Sequence, residues 1–499
     1  MKQRFAAFAL LLAFKPGMPV KSDPSNYLMV CTQVPFLQTS HGGGQGGRFL
    51  LNGSADGGSR IAVLARQGPP AVLTSEFAAA ADPAVSFDGK RILFSGKRTA
   101  KDTWDIWEMD PDGGNKRQIT RGFGNCREPE YLARSSITPP DFDQKVRWIT
   151  FVSDAAGTYQ EGTTEPATSL YALNLEPVEG RGSVTMRTSF NLSSDFSPAV
   201  LQDGRVLFTS RQQSGVSPGK FPLLAANWDG TGLNLFCGTG QGAVFKTMAC
   251  ELPDRTLVFV ESADPTESGG RLARVSFRRP LHSHEELSRG TGRYLYPHPS
   301  PQGRLIVSYS SGKESYGIYL FDFEKGVPGE RIFDDPKWED LDAQAVVPRP
   351  EPQGLISAVV DSLDWGHLHC LSVYESDMPE VKAIRKGDVK RVRFFEGVPG
   401  YDARQPGLPS KPAGKRLLGE APVEADGSFF VEVPADTPFS MELLDEKGKS
   451  LVKMPRWMWV RRGTSRGCIG CHENKELAPE NRVSDAVRKA APFVLRQKK

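Results

Sequence analysis

One stretch of this chain repeats itself, and the repeat limits the folds open to it more than any other feature. Asp82-Pro83-Ala84-Val85 leads through Ser86-Phe87-Asp88-Gly89-Lys90 into Arg91-Ile92-Leu93-Phe94-Ser95, followed by Asp105 to Asp110 and Arg117 to Thr120. The Asp-Gly pair suits a tight hairpin because both residues tolerate positive φ, and the flanking runs read as half-buried strands. The unit recurs at Ser197 to Thr209 through Asp203-Gly204, and at Pro299 to Tyr309 through Gln302-Gly303, continuing to Gly317 to Asp322. Looser copies start near Glu128, Met248 and Asp342. A lone four-stranded sheet cannot bury both of its faces, so neighbouring units must pack face to face around an axis. The expectation is an all-β chain dominated by a β-propeller.

Six copies are complete by this reading. Leu28 to Thr32, Arg60 to Leu64 and Ala71 to Thr74 form a seventh that lacks its first strand, and Val389 to Phe395, alternating basic and apolar, is the candidate to supply it. That gives seven blades, with six as the alternative. The repeat resembles the TolB-type propeller repeat, whose Ser-Pro-Asp-Gly-Lys turn stands here as Ser86-Phe87-Asp88-Gly89-Lys90. Gly (50) and Pro (38) are abundant, as many short strands joined by tight turns require.

The expected organisation is an export segment over residues 1–24, the propeller over 25–396, a small β-sandwich-like domain over 397–464 and a haem-binding tail over 465–499. Met1-Lys2-Gln3-Arg4 followed by the apolar run Phe5 to Phe14 has the form of a signal peptide and is too short to span a bilayer, so a periplasmic or otherwise exported location is expected. In the sandwich, Phe429 to Val433 and Phe439 to Leu444 read as strands around Asp426-Gly427 and Lys447-Gly448 turns, and a short helix is expected over Ser484 to Ala491. A net charge of +3 among 499 residues gives no reason to expect nucleic acid as a partner. Two of the seven cysteines belong to the motif below; the other five are scattered, although an oxidising compartment permits a pair such as Cys237 with Cys250.

The chemistry sits near the C-terminus. Cys468-Ile469-Gly470-Cys471-His472 is the attachment pattern of a c-type haem: Cys468 and Cys471 are spaced to form thioethers with two vinyl groups, and the adjacent His472 is placed as axial ligand to the iron. One covalent haem c is therefore expected. Zinc is the competing occupant, but no second Cys or His follows at finger spacing. A thioredoxin-like redox pair would need a βαβ setting. Candidates for a sixth iron ligand are Met454, Met458, His298, the alternating pair His367 and His369, and the pair His282 and His284. Arg456, Arg461, Arg462, Arg466, Arg488 and Lys489 either neutralise haem propionates, steer an acidic partner or are solvated, and Trp457 and Trp459 either wall a haem or pack a core. Gly215-Val216-Ser217-Pro218-Gly219 matches a nucleophile elbow only by letters, since Pro218 lacks the N–H that an oxyanion hole requires.

Three stretches resemble proteins related to the hydrazine synthase alpha subunit: Leu305 to Tyr309 with Tyr316 to Tyr319, Pro422 to Phe429, and Arg466 to Glu473. The resemblance implies a propeller, a covalent haem at Cys468 and Cys471, and a multihaem redox complex as the setting. In the family's synthase a tyrosine four residues beyond the motif's histidine ligates the haem while that histidine helps bind zinc. Glu476 stands at that position here, and the chain stops soon after its single motif. Hydrazine synthesis is therefore not expected, and His472 takes the ordinary axial role. The functional expectation is an exported monohaem cytochrome-like protein that transfers electrons to or from a redox partner, or performs a haem-centred redox step. The alternative is a non-catalytic propeller that docks a partner, with the haem structural or absent.

Overall fold

The computed structural model describes residues 27–36, 58–64, 69–135, 146–177, 182–212, 219–239, 243–265, 267, 269–400, 411, 413–454, 456–471, 480–489 and 491–495. The expected export segment lies outside the described residues, as do His472 and Glu476. Among the described residues, no helix is long and apolar enough to cross a membrane. The strands of the described residues fall into eight four-stranded sheets, six of which form a propeller and two a sandwich.

Each blade places one strand on the axis. These inner strands are Trp338–Ala345 (blade 1), Ala79–Val85 (blade 2), Cys126–Ser135 (blade 3), Asp195–Val200 (blade 4), Phe245–Glu251 (blade 5) and Arg293–Pro299 (blade 6), and each packs on the next around the ring. The same device recurs in all six. Asp342, Asp82, Glu128, Ser197, Met248 and Tyr296 adopt left-handed backbone with φ of 45–55°, and the antiparallel register slips beside each of them. Such a bulge twists the strand and frees an N–H that needs an acceptor. At four junctions the preceding blade supplies it: Glu128 N donates to Asp82 Oδ2 (3.1 Å), Ser197 N to Glu128 Oε2 (2.6 Å), Met248 N to Ser197 Oγ (3.0 Å) and Tyr296 N to Met248 Sδ (3.4 Å). The bulge residues thus join blade to blade. The repeated turns also form as expected: Gly89 N donates to Ser86 O, Gly204 N to Leu201 O and Gly303 N to Ser300 O, with each glycine at positive φ.

The expected all-β propeller is present, but its blade count is six, not seven. The copy starting near Asp342 is not a separate blade. It is the inner strand Trp338–Ala345, which pairs antiparallel with Met29–Pro35 and so completes the N-terminal blade with Arg60–Leu64 and Ala71–Val72. Val389 to Phe395 does not close the ring. Arg391–Val398 instead lies between Gly414–Pro422 and Phe439–Leu444 in the sandwich, where Val392 and Phe394 are fully buried while Arg391 and Arg393 are partly exposed. That alternation is what a sheet with one covered face requires.

The sandwich therefore begins well before residue 397. One sheet has the order Gly414–Pro422, Arg391–Val398, Phe439–Leu444, Ser450–Lys453; the other runs Ser465–Cys468, Trp365–Cys370, Phe429–Pro434, Phe493–Val494. Leu368, Val392, Phe394, Phe429, Val431 and Leu443 share the core between them. Residues 465–499 are not a separate tail, because they supply both edge strands of the second sheet. The expected C-terminal helix is the short turn Asp485–Arg488 behind Ser484.

An extended strap links the two bodies across one face of the propeller. Arg349 N donates to Phe87 O, Arg134 N to Glu351 Oε1, Trp228 Nε1 to Leu355 O, and Ser357 Oγ to Asp229 Oδ2. Gly89 lies so close to the strap that a Cβ there would meet Val347 C at 2.9 Å. From the sandwich side, Arg461 donates to Asp229 O and pairs with Asp436, while Trp459 packs into the propeller core beside Phe190.

Candidate functional site

The cysteine motif grows out of an edge strand. Ser465–Cys468 runs parallel to Trp365–Cys370, setting Ser465 opposite His367, Gly467 opposite His369 and Cys468 opposite Cys370. Parallel pairing needs a long crossover, and the chain supplies it by building most of the sandwich between the two strands. The following loop is held by three backbone hydrogen bonds to one wrapping segment: Leu371 N to Cys468 O (2.9 Å), Ser372 N to Ile469 O (3.0 Å) and Cys471 N to Glu375 O (3.0 Å).

Two glycines make this close wrap possible. A Cβ on Gly470 would lie 1.9 Å from Glu375 O, and one on Gly467 would lie 2.6 Å from His369 Nε2. The two motif sulfurs differ in setting. Cys471 is 4% exposed and packs in the sandwich core with Cys370, Val373 and Phe429, whereas Cys468 is half-buried at its edge.

Of the candidate sixth ligands, His367 and His369 share the sheet with the motif. His367 stacks on Trp365 (4.7 Å between centroids) and sits edge-on to Phe430, and its Nε2 is 4.0 Å from Glu432. Burial, and then the neighbouring His367, hold His369 below the usual imidazole range, so its ring stays neutral with a lone pair available at neutral pH. The other candidates have structural partners elsewhere: His298 bonds Asp342 on the propeller axis (2.7 Å) and His284 bonds Glu261 in blade 5 (2.9 Å). Met454 and Met458 belong to the sandwich core and its margin.

The basic residues near the motif mostly hold the fold. Arg461 and Arg462 share Asp436, Arg466 donates to Trp459 O, Arg488 pairs with Asp485 and Lys489 with Glu424. A further anchor, invisible in the motif pattern, is Asp426. Burial works to raise its pKa, but hydrogen bonds from Ser428, Asp485 N and Arg482 outweigh this and hold the carboxyl well below the usual carboxylate range. Arg482 also donates to Leu371 O, tying the chain beyond the motif to the wrapping segment. Trp457 and Trp459 pack against the propeller loop at Leu192 and Phe190, which is the core-packing role.

Among the described residues, no group of three His, Cys, Asp or Glu side chains is arranged to hold a metal. The Cys237–Cys250 disulfide does not form. Both thiols are buried and unpaired, and burial pushes Cys237 up to about 11.

A sequence model described as the hydrazine synthase alpha subunit middle domain matches residues 387–473, the segment that contains most of the sandwich and the whole of the cysteine motif. The hydrazine synthase subunit alpha of Kuenenia stuttgartiensis is 28% identical over 494 aligned residues, which take in 80% of this chain and 61% of that protein. This chain thus spans less than two thirds of the relative's length. The solved structure of Kuenenia stuttgartiensis hydrazine synthase superposes with a TM-score of 0.80 at 26% identity, covering 93% of this chain and 71% of its counterpart. A putative TolB from Agrobacterium tumefaciens aligns over 64% of this chain and 98% of its own at 14% identity and a TM-score of 0.39.

Proposed function

Because this chain belongs to the family related to the hydrazine synthase alpha subunit, we propose that it is an exported, monohaem c-type cytochrome-like protein whose redox centre is built on the second sheet of its sandwich. The observation that carries this reading is the pinned motif: two cysteine sulfurs three residues apart, fixed by Leu371, Ser372 and Glu375, beside the neutral imidazole of His369. The residues fit a covalent haem in donor chemistry. Cys468 and Cys471 would hold the macrocycle, His472 would supply a nitrogen to its iron, and His369 and His367, on the strand paired with the motif's own, are the further imidazoles that could serve it. When bound, the haem supplies a one-electron couple. The chain's own contribution is to hold the attachment loop still, keep His369 neutral and wall the site with Trp365 and Phe430.

Hydrazine production is not part of the proposal, because Glu476 stands where the family's synthase has a haem-ligating tyrosine. Electron transfer to a protein partner, within a multi-subunit assembly, is the role we assign. The similar protein from Kuenenia stuttgartiensis is named as a subunit, which supports an assembly here as well.

The test is a pyridine haemochrome spectrum of protein made in a host with cytochrome c maturation. A c-type α-band is expected for the natural sequence and its loss in Cys468→Ala/Cys471→Ala. A natural sequence without covalent haem removes the proposal and leaves the partner-docking propeller.

A further inference from the structure

Alternation along Trp365–Cys370 sorts its side chains onto two faces of the sheet. Trp365, His367 and His369 are half-buried on the outer face, whereas Leu368 and Cys370 are buried toward the sandwich core. In-register partners on neighbouring strands share a face, so Gly467 stands with His369 and Cys468 with Cys370. The close approach of Gly467 to the His369 ring agrees with this assignment.

The cysteine motif therefore meets a third thiol, on the face opposite the two histidines. Cys370 is 1% exposed, and its Sγ donates to Ile469 O at 3.9 Å, one residue beyond Cys468. Cys471 belongs to the same apolar cluster as Cys370, and Cys468 packs against that cluster. Neighbouring strands lie about 4.8 Å apart, within the range of Cα separations that a disulfide spans. A disulfide also draws the two Cβ atoms slightly closer than sheet pairing sets them. Cys468 can supply that movement, because it is the last residue of an edge strand. Cys471 is fixed differently, by its N–H bond to Glu375 O beyond the wedged Gly470.

We propose that Cys370 and Cys468 form a reversible disulfide in the haem-free protein, which withholds Cys468 from haem attachment until the bond is reduced. The inference rests on the exported, haem-binding reading for its setting, since an oxidising compartment supplies the oxidant. That oxidant is itself a disulfide, of a protein or of glutathione. By exchange, the Cys370 and Cys468 sulfurs join and give up two protons and two electrons, and the oxidant's disulfide becomes two thiols. A dithiol reductant reverses the step. While the bridge stands, Cys471 is the one motif thiol left, so double thioether attachment waits on reduction. The bridge also closes a loop of nearly a hundred residues, which favours the folded sandwich.

The test uses the full natural chain, made without haem in a host that does not mature c-type cytochromes. The protein is incubated with oxidised glutathione, quenched in acid, denatured, alkylated and digested. Mass spectrometry should find the Cys370 peptide joined to the motif peptide in most molecules, with fragment ions placing the bond at Cys468 and an alkyl group on Cys471. Dithiothreitol should restore both thiols. Oxidation should raise the melting temperature by about 5 °C, and Cys370→Ala, folded by circular dichroism, should lose that rise. A bond from Cys468 to Cys471, a bond from Cys370 to Cys471, or a Cys370 that is alkylated throughout would overturn the proposal. The mapping needs neither haem nor a variant, so its failure is distinct from failure of the redox reading.

Discussion

The propeller and the sandwich are both built from four-stranded sheets, yet they are assembled in opposite ways. Five of the six blades take four strands in sequence order, each paired with its neighbour in the chain, and only blade 1 borrows its inner strand from far downstream. The motif-bearing sheet takes its strands from Trp365, Phe429, Ser465 and Phe493 onward and contains two parallel pairings. The propeller is therefore stabilised by repetition: the same bulge recurs in all six blades and the same glycine turn in three of them. The sandwich relies on single, unrepeated contacts, each placed where the cysteine loop must be held. Changes at one such contact should be felt strongly and locally.

The largest effect is expected where the two bodies meet. Arg461→Met removes the buried guanidinium that binds both Asp436 and Asp229 O, and breaking a buried pair from one side costs about 3–5 kcal/mol. Urea unfolding followed by circular dichroism should show a sandwich transition separating from and preceding that of the propeller; a single unshifted transition would contradict the junction's role. Next is Gly470→Ala, which puts a methyl against Glu375 O and should cost about 2–4 kcal/mol in the sandwich alone, read by faster proteolysis near the motif.

Acid should divide the two regions by sign. Burial pushes Glu128 up to about 8 and Glu130 up to about 7 on the propeller axis. The folded propeller therefore keeps protons that the unfolded chain releases near 4.5, so its stability falls as pH rises through that window and levels off above 8. Asp426 in the sandwich has the opposite sign: its depressed pKa gives stability that is complete above the ordinary aspartate range and is lost as pH falls below it. Melting curves of Glu128→Gln and Asp426→Asn across pH 3 to 9 should flatten the high-pH and low-pH arms respectively, and the converse pattern would refute the assignment. The smallest effect is spectral. In haem-loaded protein, His369→Ala should shift the visible bands while His298→Ala leaves them in place, because His369 shares a sheet with the motif and His298 is committed to Asp342.

What the sequence disclosed follows the same division. The Asp-Gly turns and the inner strands at Asp82, Ser197 and Pro299 were legible because each copy corroborates the others. Closure was misplaced because Trp338–Ala345 and Val389 to Phe395 both alternate, and periodicity alone does not say which partner a strand takes. His367 and His369 were recognisable as a strand pair, but their register against Ser465–Cys468 was not, since parallel pairing across nearly a hundred residues leaves no local signal. The strap under Phe87 and Trp228 carries no repeat, and its apolar residues fall in pairs separated by prolines and polar residues, with neither strand nor helix period, so nothing in its pattern announced it. The cysteine motif was plain, whereas Asp426 and Arg482, which brace its surroundings, look like an ordinary turn residue and an ordinary surface cation.

The most direct test of the account is the intact mass of the mature protein purified from a host that matures c-type cytochromes. The prediction is one polypeptide carrying one covalently bound haem, retained after denaturation and absent when Cys468 and Cys471 are both replaced by alanine. A mass equal to the polypeptide alone, from the same host and the same compartment, would contradict it.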